Sequence, residues 1–170
     1  MILGFSIPEF IALHVAISLI GIATGLIALP AQAKGHFLPR MQAVFLVTTL
    51  LTSLTGFLFP FRGFTPAIGV GIVSTLVLAV AFAALYGFRL GGRARIVYAV
   101  SATTALWLNL FVLVVQGFLK LPALNALAPT GSEPPFLAAQ GLLLIVMLIL
   151  GAAIIRQPIV ARKAANRAIA

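Results

Sequence analysis

The chain has no cysteine, and its only acids are Glu9 and Glu133. The first absence removes disulfides, thiolate metal sites and a cysteine nucleophile. The second, with histidine limited to His14 and His36, leaves too few ligands for a zinc or iron site. It also leaves no buried ladder of acids and bases for a proton relay. Charged residues of either sign make up only 8% of the 170 residues, against about 25% in an ordinary soluble domain. No glycine-rich phosphate loop, nucleophile elbow or His-Glu-x-x-His sequence occurs, so an enzyme is not expected. His14 could act as a general base with Glu9, but a spacing of five residues puts them roughly 140° apart on a helix, a poor pairing.

What is present is hydrocarbon. Of all residues, 62% are hydrophobic, more than one aqueous core of this size can hide. Five runs, 10–29, 41–59, 67–88, 96–119 and 136–155, carry no Asp, Glu, Lys or Arg. Each has about the ~20 residues that a helix needs to cross a bilayer. In lipid the backbone must satisfy its own hydrogen bonds, which leaves helices or a closed barrel. A barrel requires alternating polar and apolar residues, and these runs are continuous. The expected fold is therefore all-α: one polytopic transmembrane bundle over 1–170. Its five membrane-spanning helices are placed near 7–29, 41–59, 67–88, 96–119 and 136–155. Segment 120–135 is the outer loop and 156–170 a basic cytoplasmic tail.

Net charge is +9, and its distribution argues for a membrane rather than nucleic acid. With five spans, one side receives Lys34, Arg40, Arg89, Arg93, Arg95, Arg156, Arg162, Lys163 and Arg167, and the other only Arg62 and Lys120. Both acids fall on that second side. A nine-to-two split places the N-terminus outside and the C-terminus in the cytoplasm, with the basic residues touching lipid headgroups. The first run lacks a basic leader and exceeds the ~7–15 apolar residues of a signal peptide, so it reads as a retained helix.

The connections at 30–40, 60–66 and 90–95 are short and imply antiparallel neighbours. Segment 120–135 holds Pro122, Pro129, Pro134 and Pro135, which should break regular structure. It is either a cap over the helix ends or a functional loop. Tyr86 and Tyr98 mark the inner interface; Phe57, Phe59, Phe61, Phe64, Phe118 and Phe136 cluster at the outer one. Trp107, in mid-span, is expected to pack between helices.

Polar side chains inside a bilayer are costly and mark candidate sites. In the first span His14, Ser18, Gly21 and Gly25 share one face, and Gly21 with Gly25 forms a small-xxx-small helix-packing pair. In the fourth span Asn109, Gln116 and Lys120 form another stripe. Thr48, Thr49, Thr52, Ser53 and Thr55 supply hydroxyls in the second, and Gln140 opens the fifth. With this topology His14, Thr52, Thr55, Asn109, Gln116, Lys120 and Gln140 gather towards the outer face as a candidate ligand site. Glu9 and Lys120 are placed to form an interface ion pair. The inner half is expected to hold hardly any polar side chains. The different depths of His14 and His36 argue against two-histidine haem ligation; single ligation of a haem or chlorophyll-type pigment by His14 stays open.

Two stretches carry a family likeness: ThrSerLeuThrGlyPheLeuPhePro at 52–60, and 108–136, from LeuAsnLeuPheVal through GlnGlyPheLeuLysLeuPro to GlySerGluProProPhe. The chain resembles an uncharacterised bacterial family of small polytopic integral membrane proteins over most of its length. One departure is Trp107, where tyrosine is expected. The resemblance implies a bacterial inner-membrane location and brings no activity, cofactor or catalytic residue.

The functional expectation is a non-catalytic integral membrane protein, an accessory or structural subunit of a larger membrane complex or a self-associating bundle. Its partners are the lipid bilayer and other membrane subunits; no nucleic acid and no required cofactor are expected. The alternative is a protein that binds or passes a small hydrophobic or amphipathic ligand (quinone, lipid, pigment) or an ion at the outer polar cluster.

Overall fold

The structure is a computed structural model that describes residues 1–60, 63 and 65–156. Arg62, Phe61, Phe64 and the basic tail beyond Arg156 lie outside the described residues. Among those described, every regular element is helical: α1 (Ile7–Ala33), α2 (Pro39–Gly56), α3 (Pro66–Phe82), α4 (Ala94–Lys120), a short α5 (Pro122–Asn125) and α6 (Pro134–Ile155).

Local chemistry sets the helix starts. Ser6 and Glu9 form a reciprocal capping box on α1, with Ser6 N–H donating to Glu9 Oε2 at 2.8 Å and Ser6 Oγ donating to the same oxygen at 2.6 Å. Thr65 caps α3 by accepting from Ile68 N–H at 3.3 Å. Proline occupies the first turn of α2, α3, α5 and α6, where its missing N–H has no helical partner to lose. Pro122 and Pro134 thus start helices instead of breaking structure. Pro30 sits inside α1, which runs on to Ala33. Residues assigned to a connection, Gln32 among them, are therefore helical.

α3 ends in a π-helical turn, Ala83–Gly87, closed by Phe88 N–H donating to Ala83 O at 2.9 Å. Arg89 and Leu90 then adopt left-handed backbone angles, φ 45° and 56°. Such angles disfavour a Cβ, and Leu90 is held there by burial, with 2% of its surface exposed.

Successive long helices run antiparallel, as the 14–55 and 32–42 contacts of α1 with α2 show. α1 packs on α2, α2 on α3, α3 on α4 and α4 on α6, and α6 returns to α1. α4 also touches α1 and α2, so it occupies the centre. Its sequence permits this: Ala99, Ala102 and Ala105, with no exposed surface, let neighbours approach, and Tyr98 and Leu106 fill the remaining space. The tightest approach joins α1 to α2 and α4. A Cβ on Gly25 would lie 2.9 Å from both Leu106 Cδ1 and Phe45 Cδ2, and one on Gly21 would lie 3.0 Å from the Thr48 and Thr49 hydroxyls.

Four helices are long and apolar enough to cross a membrane: α1, α3 with its π turn (Pro66–Gly87), α4 and α6. The protein is thus a multi-pass membrane protein by length and composition. α2 falls outside this set. It has 18 residues and carries Arg40, Gln42 and five hydroxyl side chains between Thr48 and Thr55.

Candidate functional site

Two groups of polar side chains lie between the helices, one towards each end of the bundle. The upper end holds the start of α1, the end of α2 and the segment between α4 and α6. The lower end holds the α1–α2 and α3–α4 connections.

Towards the upper end, His14 Nδ1 lies 2.8 Å from Thr55 Oγ1. The ring also meets Phe59 edge-on at 5.3 Å, and Phe59 meets Phe10 at 5.2 Å. Asn109 Nδ2 donates to Thr49 Oγ1 at 3.1 Å, and Ser53 Oγ donates to Ser74 Oγ at 3.0 Å. Thr52 turns its hydroxyl back to Thr48 O at 2.9 Å, a self-contained bond that makes threonine tolerable in an apolar helix. Gln140 Nε2 donates to Phe111 O at 3.2 Å. Gln140 Oε1 and Trp107 Nε1 are buried and have no partner among the described residues. Trp107 itself packs partly buried against the core and beside Phe111, 5.8 Å between rings.

The candidate residues therefore separate into pairs. His14 and Thr55 meet; Asn109 meets Thr49, and Thr52 and Gln140 bond to backbone carbonyls. Gln116 and Lys120 are exposed on the last turns of α4. The Glu9–Lys120 pair is not formed, because Ser6, only three residues from Glu9, takes its carboxylate locally. The outer connection is also self-bonded. Asn125 Nδ2 donates to Phe118 O at 3.1 Å. Glu133 receives the backbone N–H groups of Thr130 and Ser132, each at 3.0 Å. The Thr130 N–H is the main influence that holds the Glu133 carboxyl below the ordinary glutamate range. Phe118 and Phe136 close the seam between α4 and α6, their rings 5.4 Å apart.

The lower end departs from expectation. Far from lacking polar groups, it holds a buried triad from three helices. Tyr98 donates its hydroxyl to Gln42 Oε1 at 2.5 Å, and Gln42 Nε2 donates to Gln32 Oε1 at 2.7 Å. Tyr98 and Gln42 have no exposed surface, and Gln32 is 9% exposed. Tyr98 is thus buried in the bundle and is no interface anchor, whereas Tyr86 is 47% exposed. Two glutamines flanking a short connection between apolar runs were the available signal. Reading 30–40 as a loop concealed it, since a loop amide meets water while a helical one at Gln32 meets Gln42.

Charge is unevenly divided between the ends. Among the described residues Lys34, Arg40, Arg89, Arg93, Arg95 and Arg156 stand at the lower end, and Glu9, Glu133 and a single cation, Lys120, at the upper. Among the described residues no three His, Cys, Asp or Glu side chains gather to hold a metal ion. Comparisons with protein families, with curated proteins and with solved structures return no significant match to this chain.

Proposed function

We propose that this protein is a non-catalytic, five-span subunit of a larger assembly in a bacterial inner membrane, with a structural or accessory role. The observation that carries the proposal is the use of its interior polar groups. His14 with Thr55, Asn109 with Thr49, Ser53 with Ser74, and Gln32 with Gln42 and Tyr98 join helix to helix. In a bilayer such bonds hold a bundle together, because apolar contact alone does not distinguish helix from lipid. The interior is a fastening, and the chemistry available to other molecules is on its surface.

α6 docks on α4 and α1 and turns Leu137, Leu142, Ile145, Leu148 and Ile149 outward, each more than half exposed, an apolar face that suits lipid and a neighbouring membrane helix alike. α2 serves as the fifth span: its roughly 27 Å at ~1.5 Å per residue nearly matches the hydrocarbon layer, and its Gln42, Thr49, Ser53 and Thr55 side chains bond to α1, α3 and α4. The uneven division of cations favours the lower end in the cytoplasm. The family resemblance at 52–60 and 108–136 favours a bacterial source.

Native mass measurement after mild-detergent extraction tests the assignment. A defined oligomer, or a stoichiometric complex with other membrane chains, is expected. A strict monomer at every detergent mildness overturns it.

A further inference from the structure

Among the described residues, one ring nitrogen of the half-buried His14 is not used by the fold. His14 Nδ1 contacts Thr55 Oγ1 at 2.8 Å, and Thr55 Oγ1 donates to Leu51 O at 2.7 Å. A hydroxyl has one proton. If that proton went to His14, the Thr55 oxygen and the Leu51 carbonyl would face each other at 2.7 Å with no hydrogen between them. The proton therefore stays on the Leu51 side, and Thr55 Oγ1 accepts from His14. The neutral ring is fixed as the Nδ1–H tautomer, as a hydrogen bond at one imidazole nitrogen sets the state of the other. Nε2 is then a bare acceptor, and no hydrogen bond reaches it from the described residues.

Hydrocarbon cannot satisfy that acceptor, and leaving it unmet is costly. Its partner must bring a proton. The ring is half-buried and stands in an aromatic row, edge-on to Phe59, which is edge-on to Phe10. Such a row suits an aromatic body through offset or edge-to-face contact. A membrane-soluble phenol combines a strong neutral O–H donor with such a ring.

We infer that His14 Nε2 is the hydrogen-bond acceptor of a hydroquinone site at the upper end of the bundle, selective for the reduced quinol. The quinone form presents only carbonyl acceptors, which face a bare nitrogen without a proton between them. The site binds and discriminates; no electron transfer is involved. It goes beyond the assembly role, which native mass tests separately.

The test uses the full chain in phosphatidylcholine nanodiscs with His36→Ala, leaving one imidazole. Nitrogen-15 NMR of the free protein should show a protonated Nδ1 and a bare Nε2. Decylubiquinol, kept reduced under argon, should shift Nε2 and leave Nδ1 in place. Decylubiquinone should bind at least about tenfold more weakly, the expected effect of one missing hydrogen bond. Thr55→Val, which removes the tautomer lock, should bring up the second tautomer and weaken quinol binding; His14→Ala should abolish it. A protonated Nε2 in the free protein overturns the inference. So does equal affinity for quinol and quinone, or an Nε2 signal that quinol leaves unmoved, the result expected if interfacial water or lipid alone meets the nitrogen.

Discussion

Tyr98 and Gln42 lie 56 residues apart in sequence and share a 2.5 Å hydrogen bond in a fully buried setting. Gln42 passes the connection on to Gln32, so one triad ties α4 to the α1–α2 hairpin near its turn. Tyr98→Phe leaves the Gln42 carbonyl oxygen buried with no donor. It should destabilise the protein by about 1–2 kcal/mol, near the upper end for such bonds in membrane proteins. Gln42→Leu should cost at least as much, since it strands both neighbours. The double variant should lose less than the sum of the two, as read from unfolding midpoints in detergent.

Close approach of α1 to its neighbours can be tested with single methyl groups. Gly25→Ala places a carbon within 2.9 Å of Phe45 and Leu106, and overpacking of this kind costs about 1–3 kcal/mol. Gly141→Ala on α6 meets nothing within 4 Å and should be neutral or slightly stabilising, because alanine is the better helix former. Thermal unfolding of the two variants side by side measures the contrast.

Glu133 links stability to pH in a definite direction. Its carboxyl is held low by the Thr130 N–H and lesser hydrogen bonds, so the unfolded chain takes up the proton first as pH falls. The stabilisation is present in full above the ordinary glutamate value of about 4.3. It disappears as pH drops through the lower folded value. Glu133→Gln should be less stable than the parent at neutral pH, and the two should converge in acid. Unfolding midpoints across an acid series, with the Glu9 contribution common to both proteins, report the difference.

The lack of native cysteine makes topology directly measurable. Single cysteines at His36 and Arg93, exposed at the lower end, and at Pro60 and Thr130, exposed at the upper, can be probed in intact cells with a membrane-impermeant maleimide. Positions 60 and 130 should react before lysis and positions 36 and 93 only after it. Reaction of both 36 and 60 from one side would show that α2 does not cross the bilayer.

Much of this architecture is local information. Continuous apolar runs over 10–29, 67–88, 96–119 and 136–155 select helices in lipid, because every peptide group must find its partner within its own segment. Ser6 with Glu9, and the prolines at 39, 66, 122 and 134, set where helices begin. The segregation of Arg89, Arg93 and Arg95 from Glu9 and Glu133 is equally readable without any fold.

Pairing was not local, and only the tertiary structure decided it. In water, burial leaves an apolar stripe along a helix that shows which face turns inward. In lipid the outward face is apolar too, so α1, α3 and α6 carry almost no such contrast. Nothing in the order of residues could say that Tyr98 turns to Gln42 instead of to the headgroups, or that Asn109 meets Thr49. Those partners follow from register, and register follows from close contacts such as Gly25 against Phe45 and Leu106. The amino-acid order chose helices and divided their charge unevenly; the packing of α4 at the centre chose which polar groups are bonded to which.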